Sequence, residues 1–366
     1  TGNSPVIAGN LTITAGTFNT LDSGGSTSHE LTVTGAIHID GTLTGNDSAI
    51  SGDSVHIDGT FTHNGALTVS GIAATNYAFQ NLGTWTPSTS QVTTFTGDGD
   101  GTYHVKSNDW DSVVINAAGE QYIFRPKTGT AITFVDDLTV TAGDLIQNNN
   151  GDSWTVGGDV LVSDDTLGVS TATGSFTFGS LTIASGATFN ATSGTTTITS
   201  KTSDNYGIKG GGTFTHNNGE VKVTGNAFRF PIGATYYDFT WDTSSEPCYL
   251  YSTTLGGGAT IDGTQNAGYT AILGTLKIND RGFVPYNATK VFINNLIIGD
   301  TTDSANATNF DMQDSDVFDG DVIVNNILIN ADGQLKFGDN HAGNSDALEV
   351  RGAFRSLGGA SGVVVV

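Results

Sequence analysis

Two histidine phrases are the first residues in this chain whose types and spacing could do chemistry. His38-Ile39-Asp40-Gly41-Thr42 returns as His56-Ile57-Asp58-Gly59-Thr60, a shift of 18 (56 − 38 = 18). His63 and His216 each follow the same Gly-Thr-Phe-Thr run and precede Asn. Imidazoles stacked in a ladder could ligate a transition metal. Outward polar positions repeated by an array explain these histidines more simply, and that is the expectation. The acids point to another ion. Asp98-Gly99-Asp100-Gly101 offers two carboxylates, with glycines that let carbonyls turn inward. Asp300, Asp303, Asp311, Asp314, Asp316, Asp319 and Asp321 crowd one further stretch. Hard oxygen ligands suit Ca²⁺ at six to eight coordination, so Asp98, Asp100, Asp311, Asp314, Asp316 and Asp319 are the candidate calcium ligands. Neither stretch completes a calcium loop or a nonapeptide calcium repeat. Solvated turn acids are the competing explanation.

Catalytic patterns are not found. There is no nucleophile elbow, Ser-His-Asp signature or phosphate loop. Gly210-Gly211-Gly212 and Gly256-Gly257-Gly258 lack a following Lys and helix and read as turns. Arg125, Arg229, Arg281, Arg351 and Arg355 are widely spaced. No pair of carboxylates stands in an apolar setting that would raise one pKa. A hydrolase site assembled from distant segments would leave no local motif, but the expectation is a protein that is not an enzyme.

Composition narrows the class. The chain has 366 residues, of which 50 are Gly and only 6 are Pro. So many glycines would interrupt every helix of a bundle, at about 1 kcal/mol each. Collagen is excluded because Gly follows no period of three. A hydrophobic share of 37 % argues against disorder. The formal net charge of −23 excludes a basic nucleic-acid binder, and it keeps a large assembly soluble. No apolar run of about 18 residues could span a membrane. Cys248 is the sole cysteine, so no intrachain disulfide can form. The start at Thr1, without a signal-peptide pattern, suggests a processed product, and Gly362 to Val366 read as a strand cut short.

The elements that must carry these residues are strands. Leu31, Val33, Ile37, Ile39 and Leu43 alternate with polar residues at period two. Gly, Asn and Asp close each run, because they accept the backbone angles of turns. Ala187-Thr188-Phe189-Asn190 maps onto Gly212-Thr213-Phe214-Thr215 with a shift of 25 (214 − 189 = 25). Short strands recurring every 18 to 26 residues predict an all-β chain, a parallel β-helix or β-solenoid. A string of antiparallel sandwiches is the alternative, but sandwiches do not repeat at that scale. In the solenoid, Phe61, Phe189 and Phe214 would occupy equivalent inward sites.

Larger echoes divide the chain into three. Asn10 to Gly16 returns as Asp137 to Gly143 (138 − 11 = 127). The expected units are 1–136 with an aromatic-rich segment at 72–136, 137–272 with one at 226–272, and a degenerate unit 273–366 whose chain is expected to continue. The aromatic segments read as wider coils or protruding β-elements. Their rings fill a wider core or, in the sharper reading, present a surface for sugar or protein.

The phrases Leu181 to Ser200 and Gly212 to Gly225 resemble repetitive Thr/Gly-rich structural or fibre proteins of tailed bacteriophages, marine ones especially, and similar adhesin repeats of bacterial surface proteins. The resemblance covers 10–225 well and 273–350 weakly. It implies a rigid, often oligomeric stalk with no catalytic residues to carry over. The expected role is an extended fibre or spacer on a virion, outside the cell or on its surface, contributing to adhesion. Its expected partners are further copies of itself or other proteins of one assembly, and a host surface glycan, but neither nucleic acid nor membrane. A glycan-binding adhesin and a polysaccharide-degrading enzyme are the alternatives.

Overall fold

Short runs rich in Thr, Val, Ile, Leu and Phe, each closed by Gly, Asn or Asp, suit the pleated surface of a sheet and little else. The structure is a computed structural model. It describes residues 4–21, 25, 27–71, 77–97, 99, 101–147, 151–168, 171–226, 229–232, 234–243, 247–254, 260–261, 264–265, 269–280, 282–285, 290–299, 308–311, 321–336, 347–357 and 364–365. Among the described residues the secondary structure is entirely strand, with no helix. None is therefore long and apolar enough to cross a membrane. The chain divides into two compact units, Thr1–Gly174 and Ser175–Val366.

In the first unit, strands from Val6 to Phe95 pair in parallel with the strand three further along the chain, and those from Thr102 on pair mostly with the second one along. Leu11–Ile13 lies beside Ile37–Ile39, which lies beside Val55–Ile57. Leu31–Val33, Ile50–Gly52 and Leu67–Val69 form a second row. Thr17–Asn19, Thr42–Asn46, Thr60–His63 and Thr84–Pro87 form a third. The 18-residue echo of the sequence is the register itself: His38 faces His56 and Thr42 faces Thr60.

The second unit repeats this parallel scheme. Thr188–Asn190 pairs with Thr213–Thr215, and Thr195–Ile198 pairs with Glu220–Val223. Both steps are the 25-residue shift. Further along, Tyr269–Ile278, Lys290–Ile298 and Asp321–Ile329 lie side by side, with Leu276, Leu296 and Ile327 in one row. A polar ladder joins the last two. Asn325 Nδ2 donates to Asn294 Oδ1 and Asn326 Nδ2 to Asn295 Oδ1, each at 3.0 Å. An antiparallel pair joins Thr260–Ile261 to Thr264–Gln265.

Alternation sorts the side chains. Leu31, Val33, Ile37, Ile39, Val55 and Ile57 are buried, while Thr32, His38 and His56 between them are not. Each fully buried aliphatic or aromatic residue contributes about 1.5–3 kcal/mol of transfer free energy. The aromatic-rich segments also turn inward. Phe79, Trp85 and Trp110 pack with ring centroids 4.8–5.0 Å apart. Phe95, Tyr122, Phe124, Phe134 and Trp154 continue that interior. In the second unit Phe230, Tyr236, Phe239 and Trp241 do the same. Filling a core, rather than offering a flat exposed surface, is what these rings do.

The phenylalanines of the shared phrases are all inward, and Phe189 and Phe214 are equivalent, whereas Phe61 belongs to a different sheet. Phe61 lies between Leu43 and Trp85. Phe189 and Phe214 face each other, stacked at 5.8 Å and 15°. A recurring phrase thus specifies a strand and its buried face.

Candidate functional site

The outward face of the first unit carries the strongest cluster of ligating groups. Ile37 and Ile39 point into the core, so His38 between them must point out, and the same holds for His56 between Val55 and Ile57. Parallel register brings the two imidazoles face to face, 4.7 Å between centroids and 24° between planes. Asp40 and Asp58 follow two residues later on the same face. Each sits at a corner where two amides donate to one carbonyl of the preceding strand: Asp58 N and Gly59 N to Ile39 O, at 2.9 and 2.7 Å. Gly59 is required there, since a Cβ would collide with the carbonyl oxygens of Asp40 and Gly41.

The result is a two-by-two arrangement of His and Asp. His38 Nε2 lies 3.1 Å from Asp58 Oδ2 and 3.3 Å from Asp40 Oδ1. His56 Nε2 lies 3.1 Å from the same Asp58 oxygen. That approach is off the hydrogen-bonding direction, so this nitrogen, shut away from solvent, has no hydrogen-bond partner. Around it the cluster stays open: side-chain exposure is 40 % for His38 and 24 % for His56. The hydrogen bond from His38, joined by the charge of His56, holds the Asp58 carboxyl below the usual carboxylate range against a desolvation cost.

The second histidine phrase splits. His63 was expected outward, but it is fully buried. Its strand, Thr60–His63, runs one residue past Thr62, and period two puts His63 on the face of Phe61. The ring lies parallel to Phe61 at 5.3 Å. Nε2 donates to Ser48 O and Nδ1 accepts from Gln91 Nε2, both at 2.8 Å, so the imidazole is neutral. Burial lowers its pKa. The corresponding strand of the second unit stops at Thr215, and Asn217 and Asn218 adopt positive φ. His216 therefore belongs to a turn, where its Nδ1 accepts from Asn218 N at 2.9 Å and its ring stacks on Tyr237.

Of the calcium candidates, Asp98, Asp100, Asp314, Asp316 and Asp319 lie outside the described residues. Asp311 closes the strand Thr308–Asp311, with its backbone opposite Lys336. Sequence reading missed Asp111, which is 4 % exposed. Desolvation and then the nearby Asp136 push its pKa up, against backbone hydrogen bonds from Ser90 and Gln91. Its position directly before the inward-facing run from Ser112 was the available signal. Cys248 is buried, which raises its thiol pKa and leaves it unreactive.

A polar depression lies beside Trp85, lined by Asn81, Thr84, Asn108, Asp109, Lys127 and Thr128. Lys127 Nζ is committed to Gly83 O. Only 5 % of Trp85 is exposed, so the ring offers a sugar no stacking platform. Set against known protein families, curated proteins and solved structures, the chain matches none of them.

Proposed function

We propose that the chain is a β-solenoid and that its function is structural: a rigid spacer in a fibre or stalk on a virion or cell surface, contributing to adhesion without catalysis. The observation that carries this reading is the register. Parallel strands stack on strands two to four further along the chain, apolar side chains inward and Thr, His, Asp and Asn outward. In such a stack, backbone ladders resist bending along one direction, and turns can vary without disturbing the shaft. The acidic surface keeps neighbouring copies soluble. Apolar groups left near the outermost described strands, Val6 at 68 % exposure and Phe354 at 48 %, favour contact with further subunits of one assembly.

Immunogold labelling of intact particles and cells from the source tests the location: the expected result is label on a virion or envelope surface. Label confined to cell interiors would defeat the proposal. A glycan array and a reducing-sugar assay on the purified chain separate the spacer from its rivals. Saturable binding to one glycan class would make it an adhesin. Sugar release would make it an enzyme.

A further inference from the structure

We propose that His38, His56 and Asp58 form a binding site for a borderline transition-metal ion of the Zn²⁺ class, which ties two neighbouring strands together from outside. The three donor atoms lie within 4.8 Å of one another. A tetrahedral ion with ligand distances of about 2.0–2.1 Å needs ligand–ligand edges of about 3.3 Å. Two edges are already in place: His38 Nε2 and His56 Nε2 each stand 3.1 Å from Asp58 Oδ2. A third donor pair, His38 Nε2 with Asp40 Oδ1 at 3.3 Å, puts a fourth donor, a second carboxylate oxygen, on the rim. Only the two imidazole nitrogens must close up, a small rotation for partly exposed rings.

The donor set selects the ion. Two imidazoles with one carboxylate suit Zn²⁺, Cu²⁺ or Ni²⁺, whereas Ca²⁺ takes oxygen ligands and needs six or more. The ligand-like feature is His56 Nε2. It is shielded from water, it lacks a hydrogen-bond partner, and it stands beside the carboxylate oxygen that a metal would share. The scaffold is preformed, because the ligands sit on paired strands rather than on loops. One coordinated ion would bridge the first strand to the second without a disulfide.

Zn²⁺ titration of the purified full chain tests the site, followed by calorimetry and by the imidazole proton resonances of His38 and His56. One Zn²⁺ per chain is expected to bind with both imidazoles shifting together, and an excess of Ca²⁺ should not compete. His56→Gln and Asp58→Asn should each weaken binding by at least about tenfold. Both side chains are partly exposed, so these variants should keep the parent far-ultraviolet spectrum. Zn²⁺ bound equally well by both variants, or a wild-type titration that leaves the two imidazoles unmoved, would overturn the assignment.

Discussion

At the scale of single residues, the buried His63 is where pH acts on stability. Its ring is neutral in the fold, holding Ser48 O and Gln91 Nε2, and burial depresses its pKa below the unfolded value near 6.5. Below that pH the unfolded chain takes up a proton that the folded chain refuses. The stabilisation is therefore complete above about pH 6.5 and is lost as pH falls toward the folded pKa. His104 and His216, also depressed by burial, act in the same direction. The melting midpoint followed by circular dichroism should hold steady from pH 8 to 7 and drop between pH 6.5 and 5. A midpoint that rises on acidification would contradict this. His63→Leu should reduce that slope, yet cost about 1–3 kcal/mol at pH 8, because Gln91 and Ser48 lose their buried partner.

At the scale of elements, the strands are short and the corners set their spacing. Gly59 lies against the backbone carbonyls of Asp40 and Gly41, so Gly59→Ala must push two neighbouring strands apart. Overpacking of this kind costs about 1–3 kcal/mol. Urea unfolding should show the midpoint falling with an unchanged slope, and an unchanged midpoint would mean the corner is loose. Equivalent rows also predict what can be removed. Thr188 pairs with Thr213 and Phe189 with Phe214. Deleting 189–213 joins Thr188 to Phe214 and preserves the row, so the shortened chain should still unfold cooperatively. Deleting only 189–200 should not, because it removes all but Thr188 of the strands at 188–190 and 195–198 and leaves Thr213–Thr215 and Glu220–Val223 without their register partners. Equal behaviour of the two deletions would count against a repeating stack.

At the scale of the whole molecule, charge dominates. Thirty-six acids face thirteen Lys and Arg residues, a net −23. The described ion pairs, such as Lys222–Asp242 and Lys290–Asp321, neutralise few of them. Self-repulsion destabilises a compact state and is screened beyond about 10 Å at 0.1 M salt. The melting midpoint at pH 7.5 should therefore rise between 10 and 300 mM NaCl. A fall would mean that surface ion pairs outweigh repulsion. With no disulfide available to a chain with one cysteine, interior packing carries the stability. Phe79, Trp85, Trp110 and Phe124 pack ring against ring within that interior in the first unit.

Period-two alternation, glycine-closed runs and the shifts of 18 and 25 residues by themselves determined an all-β chain, its inward residues and the register of neighbouring strands. Those features are local or repeat at fixed spacing, and pleat geometry converts them directly into a buried and an exposed face. Even the opposition of His38 to His56 was legible in that shift. Contacts between non-equivalent residues required the tertiary structure. It decided that Phe61 also meets Trp85, although the shifts of 18 and 25 already set Leu43 against Phe61 and Phe189 against Phe214. It turned His63 inward and left His216 in a turn, one strand ending a residue later than the other. It also brought Asp58 within reach of both imidazoles, since side-chain approach across a sheet depends on how closely its glycine corners let the backbones stack.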